Sequence, residues 1–71
     1  MTQNDMILAW LRDNRSITPW EAIRELGCTR LGARIYDLRR RGISISQETV
    51  RRVNRYGKMV SFARYTLEGG S

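Results

Sequence analysis

Seventy-one residues allow one domain with a small core, because a chain of this size buries only about 60% of the surface its unfolded form exposes. A single cysteine, Cys28, excludes an internal disulfide, and the lack of histidine leaves a zinc site almost without ligands. The formal net charge of +6 is unevenly spread: residues 1–28 set Arg12, Arg15 and Arg24 against Asp5, Asp13, Glu21 and Glu25, a net −1, whereas residues 29–64 set nine arginines and Lys58 against Asp37 and Glu48, a net +8.

In chain order, Thr2 or Asn4 caps a first helix running roughly from Asp5 to Asp13, with Ile7, Leu8 and Leu11 on one face and Trp10 beside them. The stretch NRSIT breaks the helical pattern, and Ile17 between Ser16 and Thr18 suits a very short strand. A second helix begins at TPWE. Thr18 is its N-cap, Pro19 takes the first helical position and Glu21 closes a capping box. Ala22, Ile23 and Leu26 supply its apolar face, and Gly27 is a left-handed stop. A third helix follows at Cys28 or Thr29, runs to Arg41 and ends at Gly42. Two helices joined by so tight a turn form a helix-turn-helix pattern. After Gly42 the apolar period falls from 3.6 to 2. ISISQETVRRV and KMVSFARYTL read as strands joined by the turn NRYG. The alternation sets Val53 opposite Met59, Arg51 opposite Ser61, Thr49 opposite Ala63, Gln47 opposite Tyr65 and Ile45 opposite Leu67. On the other face it sets Val50 opposite Phe62 and Glu48 opposite Arg64, an opposite-charge pair. The Ile45, Tyr65 and Leu67 face closes the core. The end GGS is expected to fray, so the ordered domain is expected at about residues 5–67 with a tail at 68–71.

The third helix carries most of the information. At about 100° per residue, Leu31, Ile35 and Leu38 fall in one sector and form its buried stripe. Opposite lie Thr29, Ala33, Tyr36 and Arg40, with Arg30 and Asp37 at one margin. Arg34 and Arg41 flank the stripe on that side, and Arg39 flanks it on the other. A small residue at the centre of an exposed face, ringed by groups that hydrogen-bond or stack, suits a helix entering a major groove. A solvated helix mixes both signs of charge for i, i+4 pairing, yet between Thr29 and Ile45 there are five arginines and one acid. Arginine's planar fork also suits phosphate and guanine better than lysine does. Asp37 either orients a neighbouring arginine or accepts from a cytosine amino group. The run RRR at 39–41 spans three directions around the helix, which suits phosphates more than bases. Tyr36 has three open roles: stacking on a sugar, bonding a phosphate, or covering the hairpin. Trp10 and Trp20 read as packing residues at the edge of the core, and Cys28 as a small buried filler. Val50, Val60 and Phe62 are large for a free hairpin, so part of it suits packing against a second copy or a partner.

Helix, short strand, TPWEAIRELGCTRLGARIYDLRRRG and a basic hairpin together resemble a winged helix-turn-helix domain. That is an α+β fold of three helices followed by a two-stranded antiparallel wing. The segment from Ser16 to Ile45 is similar to the small domains of this kind encoded by bacteriophages and prophages, and the resemblance covers roughly residues 5–67. It implies a third helix in the major groove and a wing on the backbone or minor groove. It carries onto Arg30, Ala33, Tyr36 and Arg40 for the groove, and onto Arg51, Arg52, Arg55 and Lys58 for the wing. With Thr29, Arg34, Asp37 and Arg41 at the helix margins, these make up the candidate DNA-binding set. Winged helices that bind left-handed nucleic acid also carry a tyrosine in this helix, but their wing is proline-rich and this one has no proline.

The leading expectation is a sequence-specific binder of double-stranded DNA, a phage-type transcriptional regulator working as two copies, without cofactor or metal, in the cytoplasm of a bacterial host. A DNA-architectural factor in excision or replication uses the same parts. The alternative from another class is a winged-helix module that binds an acidic host or phage protein. RNA binding lacks a platform of several aromatics. An enzyme lacks a nucleophile–base pair, paired carboxylates or a glycine-rich phosphate loop. The longest apolar run, MILAWL, is too short for a membrane span, and the first residues lack the basic-then-apolar layout of a signal peptide.

Overall fold

The chain runs α1 (Gln3–Asn14), β1 (Ser16–Ile17), α2 (Pro19–Leu26), α3 (Leu31–Arg40), β2 (Ile45–Val53) and β3 (Met59–Leu67), in a computed structural model that describes residues 1–68. Of the tail expected at 68–71, residues 69–71 therefore lie outside the described residues. α1 begins at Gln3, two residues before the expected start, because Thr2 is its cap. The Asp5 amide donates to Thr2 Oγ1 and the Thr2 amide to Asp5 Oδ2, each at 3.2 Å. The bond from the Thr2 backbone is the larger of two Thr2 contributions that hold the Asp5 carboxyl below the ordinary aspartate range, and Arg41 adds a smaller one. A depressed pKa stabilises above the unfolded value and is lost as pH falls through the folded one. Helicity by circular dichroism should therefore hold from neutrality to about pH 4 and decline below it. Asp5→Asn should flatten that decline. A loss beginning near neutrality would place the acid-sensitive group elsewhere.

Arg15 ends α1 with a left-handed φ of 73°, unusual for a non-glycine residue. Its amide bonds the Leu11 carbonyl and its carbonyl accepts from the Leu67 amide, both at 2.7 Å. This turn delivers β1 to the sheet edge, where Ser16 pairs with Thr66 and Ile17 with Tyr65. The Trp10 indole N–H donates to the Ser16 carbonyl at 3.0 Å, so Trp10 packs at the rim of the core as its position implies. α2 carries the capping box read from TPWE: the Thr18 amide donates to Glu21 Oε1 at 2.9 Å and the Glu21 amide to Thr18 Oγ1 at 3.3 Å. Gly27 closes α2 in the left-handed conformation, φ 64°. Of the expected apolar face only Ala22 is fully buried, with Leu26 half-buried and Ile23 exposed.

The start of α3 differs from expectation. Helix resumes at Leu31, not at Cys28 or Thr29, and its last residue is Arg40. Cys28 is drawn into the core, 1% exposed, and its amide is spent on the Ala22 carbonyl at 2.9 Å. Reaching that buried position uses up the residues that would otherwise begin the helix. Thr29 and Arg30 thus lie on the turn, with Arg30 as an N-cap that makes no side-chain bond.

The sheet has the order β1-β3-β2, antiparallel throughout. Its β2–β3 register is the one the alternation implies, from Ile45 opposite Leu67 to Val53 opposite Met59. Glu48 and Arg64 form the expected ion pair across it. Ile7 and Leu11 of α1, Ile17, Ala22, Cys28, the α3 stripe of Leu31, Ile35 and Leu38, and Ile45 and Leu67 of the sheet make one core, with Leu8, Trp10, Leu26, Ile43 and Tyr65 packed around it.

Candidate nucleic-acid interface

With the Leu31, Ile35 and Leu38 stripe inward, α3 turns Ala33, Tyr36, Arg40 and the adjoining Arg41 to solvent. The Arg40 guanidinium carbon lies 5.7 Å from the centre of the Tyr36 ring, one turn back along the helix. Such a cation–π contact holds an otherwise floppy side chain in a defined direction. Thr29 and Arg30 are also exposed, just ahead of the helix. They stand beside a notch of about 190 Å³ that Gly32 and Tyr65 help to line.

The α3 margin is engaged within the chain. Arg34 Nη2 lies 3.4 Å from Asp37 Oδ2, and Asn4 Nδ2 of α1 donates to the same oxygen at 3.5 Å. Asp37 thus holds a neighbouring arginine, and joins α3 to α1 through Asn4, a residue that sequence reading considered only as a helix cap. Arg39 is a second such case. Its Nε and Nη2 both donate to the Ile45 carbonyl, at 3.1 and 2.8 Å, so the end of α3 is stapled to the start of β2. Neither partnership has a sequence signal. Asn4 and Asp37 are 33 residues apart, and the acceptor of Arg39 is a backbone oxygen that any residue could supply.

The wing's cations lie well away from the core. Every residue from 51 to 60 is exposed, including Arg51, Arg52, Arg55 and Lys58. None of these four, nor Arg30, Arg40 or Arg41, joins an ion pair among the described residues; the paired arginines are Arg24, Arg34 and Arg64. The hairpin tip is tightly built. Asn54 Oδ1 accepts from the Tyr56 and Lys58 amides at 2.9 and 3.0 Å, and the Asn54 amide donates to the Lys58 carbonyl at 2.8 Å. Gly57 supplies the left-handed residue, φ 79°, that a three-residue hairpin loop requires.

A turn-linked helix pair whose second helix shows a small-centred basic face, followed by an antiparallel wing, has a match among known domain families. A family model described as a winged helix-turn-helix domain covers residues 2–69. The chain belongs to the winged helix-turn-helix family. No curated protein matches it, and no solved structure does. A winged helix-turn-helix domain points to DNA binding, and the fold is typically non-enzymatic. Among the described residues no helix is long and apolar enough to cross a membrane, and no group of three or more acidic or cysteine side chains could hold a metal ion.

The winged helix-turn-helix also leaves apolar surface in the open. Trp20, expected to pack, is 60% exposed and meets Phe62 edge-on, with ring centres 6.5 Å apart. Val60 is exposed on the same strand face as Phe62, and Val50 is half-buried opposite it. Val53, Tyr56 and Met59 crowd the tip. Sequence reading singled out Val50, Val60 and Phe62 but missed the tip, although the pairing that placed Val53 opposite Met59 was the available signal.

Proposed function

We propose that this winged helix-turn-helix domain is a sequence-specific double-stranded DNA-binding protein, a transcriptional regulator of the bacteriophage type acting in the cytoplasm of a bacterial host. α3 enters the major groove and the wing's cations lie on the phosphate backbone. The observation that carries this reading is the set of unpaired cations. Arg30, Arg40, Arg41, Arg51, Arg52, Arg55 and Lys58 are all exposed without an acidic partner among the described residues, three of them on or beside α3, whose outward face also shows Ala33, and four on the wing.

In this reading Ala33 lets the helix backbone approach the base edges. Arg40, braced on Tyr36, reaches a guanine. Thr29, Arg30 and Arg41 meet phosphates at the two ends of the helix, while Arg34 and Asp37 keep the helix in place against α1. One short helix and one wing bury little surface, so useful affinity calls for two copies on a repeated or palindromic site. The apolar side of the hairpin, Val50, Val60 and Phe62 with Trp20 beside it, suits the contact between them. The same exposed apolar surface favours the second reading, a module that binds an acidic protein.

Selection of bound sequences from a random duplex library separates the two: a sharp motif supports the regulator, and no enrichment supports the protein-binding module. Affinity for the selected duplex should fall steeply with salt. About four to six phosphate contacts per protomer give a log–log slope near −4 to −5. Arg51→Ala or Arg55→Ala should weaken binding to all sequences alike and flatten the slope by about one unit per lost contact. A change in the preferred base for either variant would make the wing a base reader.

A further inference from the structure

We propose that the wing tip is an apolar wedge that enters the minor groove of the bound duplex and parts a base step, so that this protein bends DNA as well as reading it. The inference rests on the duplex being the ligand, and adds to that reading a mechanical act on the DNA. It starts from an oddity of the ribbon. Residues 51–60 have no fully or half-buried member, so the distal hairpin stands free of the domain body. A free two-stranded ribbon has no core to serve, and polar residues would fill it at least cost. Instead its last cross-strand pair is Val53 and Met59, each 64% exposed, and the turn beyond them carries Tyr56, 80% exposed.

Three features narrow what these side chains meet. First, exposed Arg51, Arg52, Arg55 and Lys58 flank them along the chain, which complements a pair of phosphate backbones and opposes the tip of a second copy, where the same four cations would face their like. Second, Val53 and Met59 share the ribbon face of Tyr65, since strand side chains alternate. The Tyr65 hydroxyl lies 3.9 Å from where a Cβ on Gly32 would stand, at the start of α3. The ribbon face that carries the apolar pair therefore runs back to the start of α3. Third, the tip is rigid. The bonds of Asn54 to Tyr56 and Lys58 and the left-handed Gly57 fix the loop before any ligand arrives. A side chain that pries stacked bases apart works only from a stiff support. Apolar side chains inserted between base steps from the minor groove kink the duplex, and cations beside the insertion hold the flanking phosphates.

The test is end-to-end fluorescence energy transfer on a labelled duplex carrying the selected site. It compares the wild-type chain with Val53→Thr/Met59→Gln, which keeps side-chain size and removes no cation. Melting curves recorded on the same samples confirm that both are folded. The wild type should bend the duplex by about 20–90° and favour sites with a flexible TA or CA/TG step at the point of insertion. The variant should bind with an unchanged salt slope, leave the duplex straight and lose the step preference. Asn54→Ala, which keeps both apolar residues on a loosened tip, should bend less than wild type. A wild-type complex with straight DNA, or a variant that bends as strongly, overturns the wedge and leaves duplex recognition standing. Failure of the wild type to bind any duplex overturns both. Substitutions that abolish binding to phosphatidylglycerol vesicles and leave the DNA bend unchanged assign the tip to membranes and also overturn the proposal.

Discussion

Ala33→Leu is expected to abolish specific duplex binding without unfolding the protein. Ala33 is exposed at the centre of the outward face of α3, so leucine, a good helix former, is tolerated there. In the proposed reading its added bulk stands where the helix backbone approaches the base edges, and it would hold the whole face out of the groove. Arg40→Ala offers a graded comparison. It removes one side chain able to pair with guanine and should cost about 1–3 kcal/mol of discrimination at one base position. It also leaves Tyr36 without the cation stacked on it. Thermal melts and duplex titrations on the same preparations decide the matter: both variants should melt near wild type. Unchanged DNA affinity in both would show that α3 does not read the groove.

The second large effect is on stability. Leu38 is fully buried, in one cluster with Ile7 and Leu11 of α1 and Ile45 of β2. Leu38→Ala removes most of a core side chain and leaves a cavity, a change that costs about 2.7–5 kcal/mol in well-packed interiors. At 0.05–0.15 kcal/mol per residue, a domain of this length has only about 4–10 kcal/mol in all. One substitution should therefore consume a large share of it and lower the melting temperature by more than about 10 °C. A shift of only a few degrees would mean that the space under α3 is filled from another side.

The features most legible in sequence were those whose signals are local. The hairpin register followed from period-2 alternation over nine residues on each side, reinforced by the Glu48–Arg64 pair and a glycine-bearing turn. TPWE fixed the start of α2 because a capping box involves only four consecutive residues. The buried stripe of α3 followed from the spacing of Leu31, Ile35 and Leu38. What stayed hidden depends on where distant segments come to rest. Thr29 has the chemistry of an N-cap, yet the helix starts later because Cys28 is drawn into the core and its amide is bonded to the Ala22 carbonyl. Trp20 has the size of a core residue, but on α2 it stays 60% exposed and meets Phe62 edge-on. Within the candidate interface, exposure of Ala33, Tyr36 and Arg40 was readable from angles alone. The Arg34–Asp37 pair was open to a reading of i, i+3 spacing, but the bonds of Asp37 to Asn4 and of Arg39 to the Ile45 carbonyl were not, since those partners come from α1 and β2.

The staple from Arg39 to the Ile45 carbonyl turns the fold into a ruler. Only residues 41–44 separate α3 from β2, and the paired bonds across that gap allow little play. Helix and ribbon thus keep a set separation. The nine residues of β2 span about 30 Å at roughly 3.3 Å each, close to the length of nine base pairs at about 3.4 Å each. In the proposed reading, exchanging side chains at positions 33, 36 and 40 would change which letters are read, whereas the span of a site would follow ribbon length. Deleting one cross-strand pair, such as Arg52 with Val60, would shorten that span by about one base pair. It would also turn the tip's side chains to the opposite face.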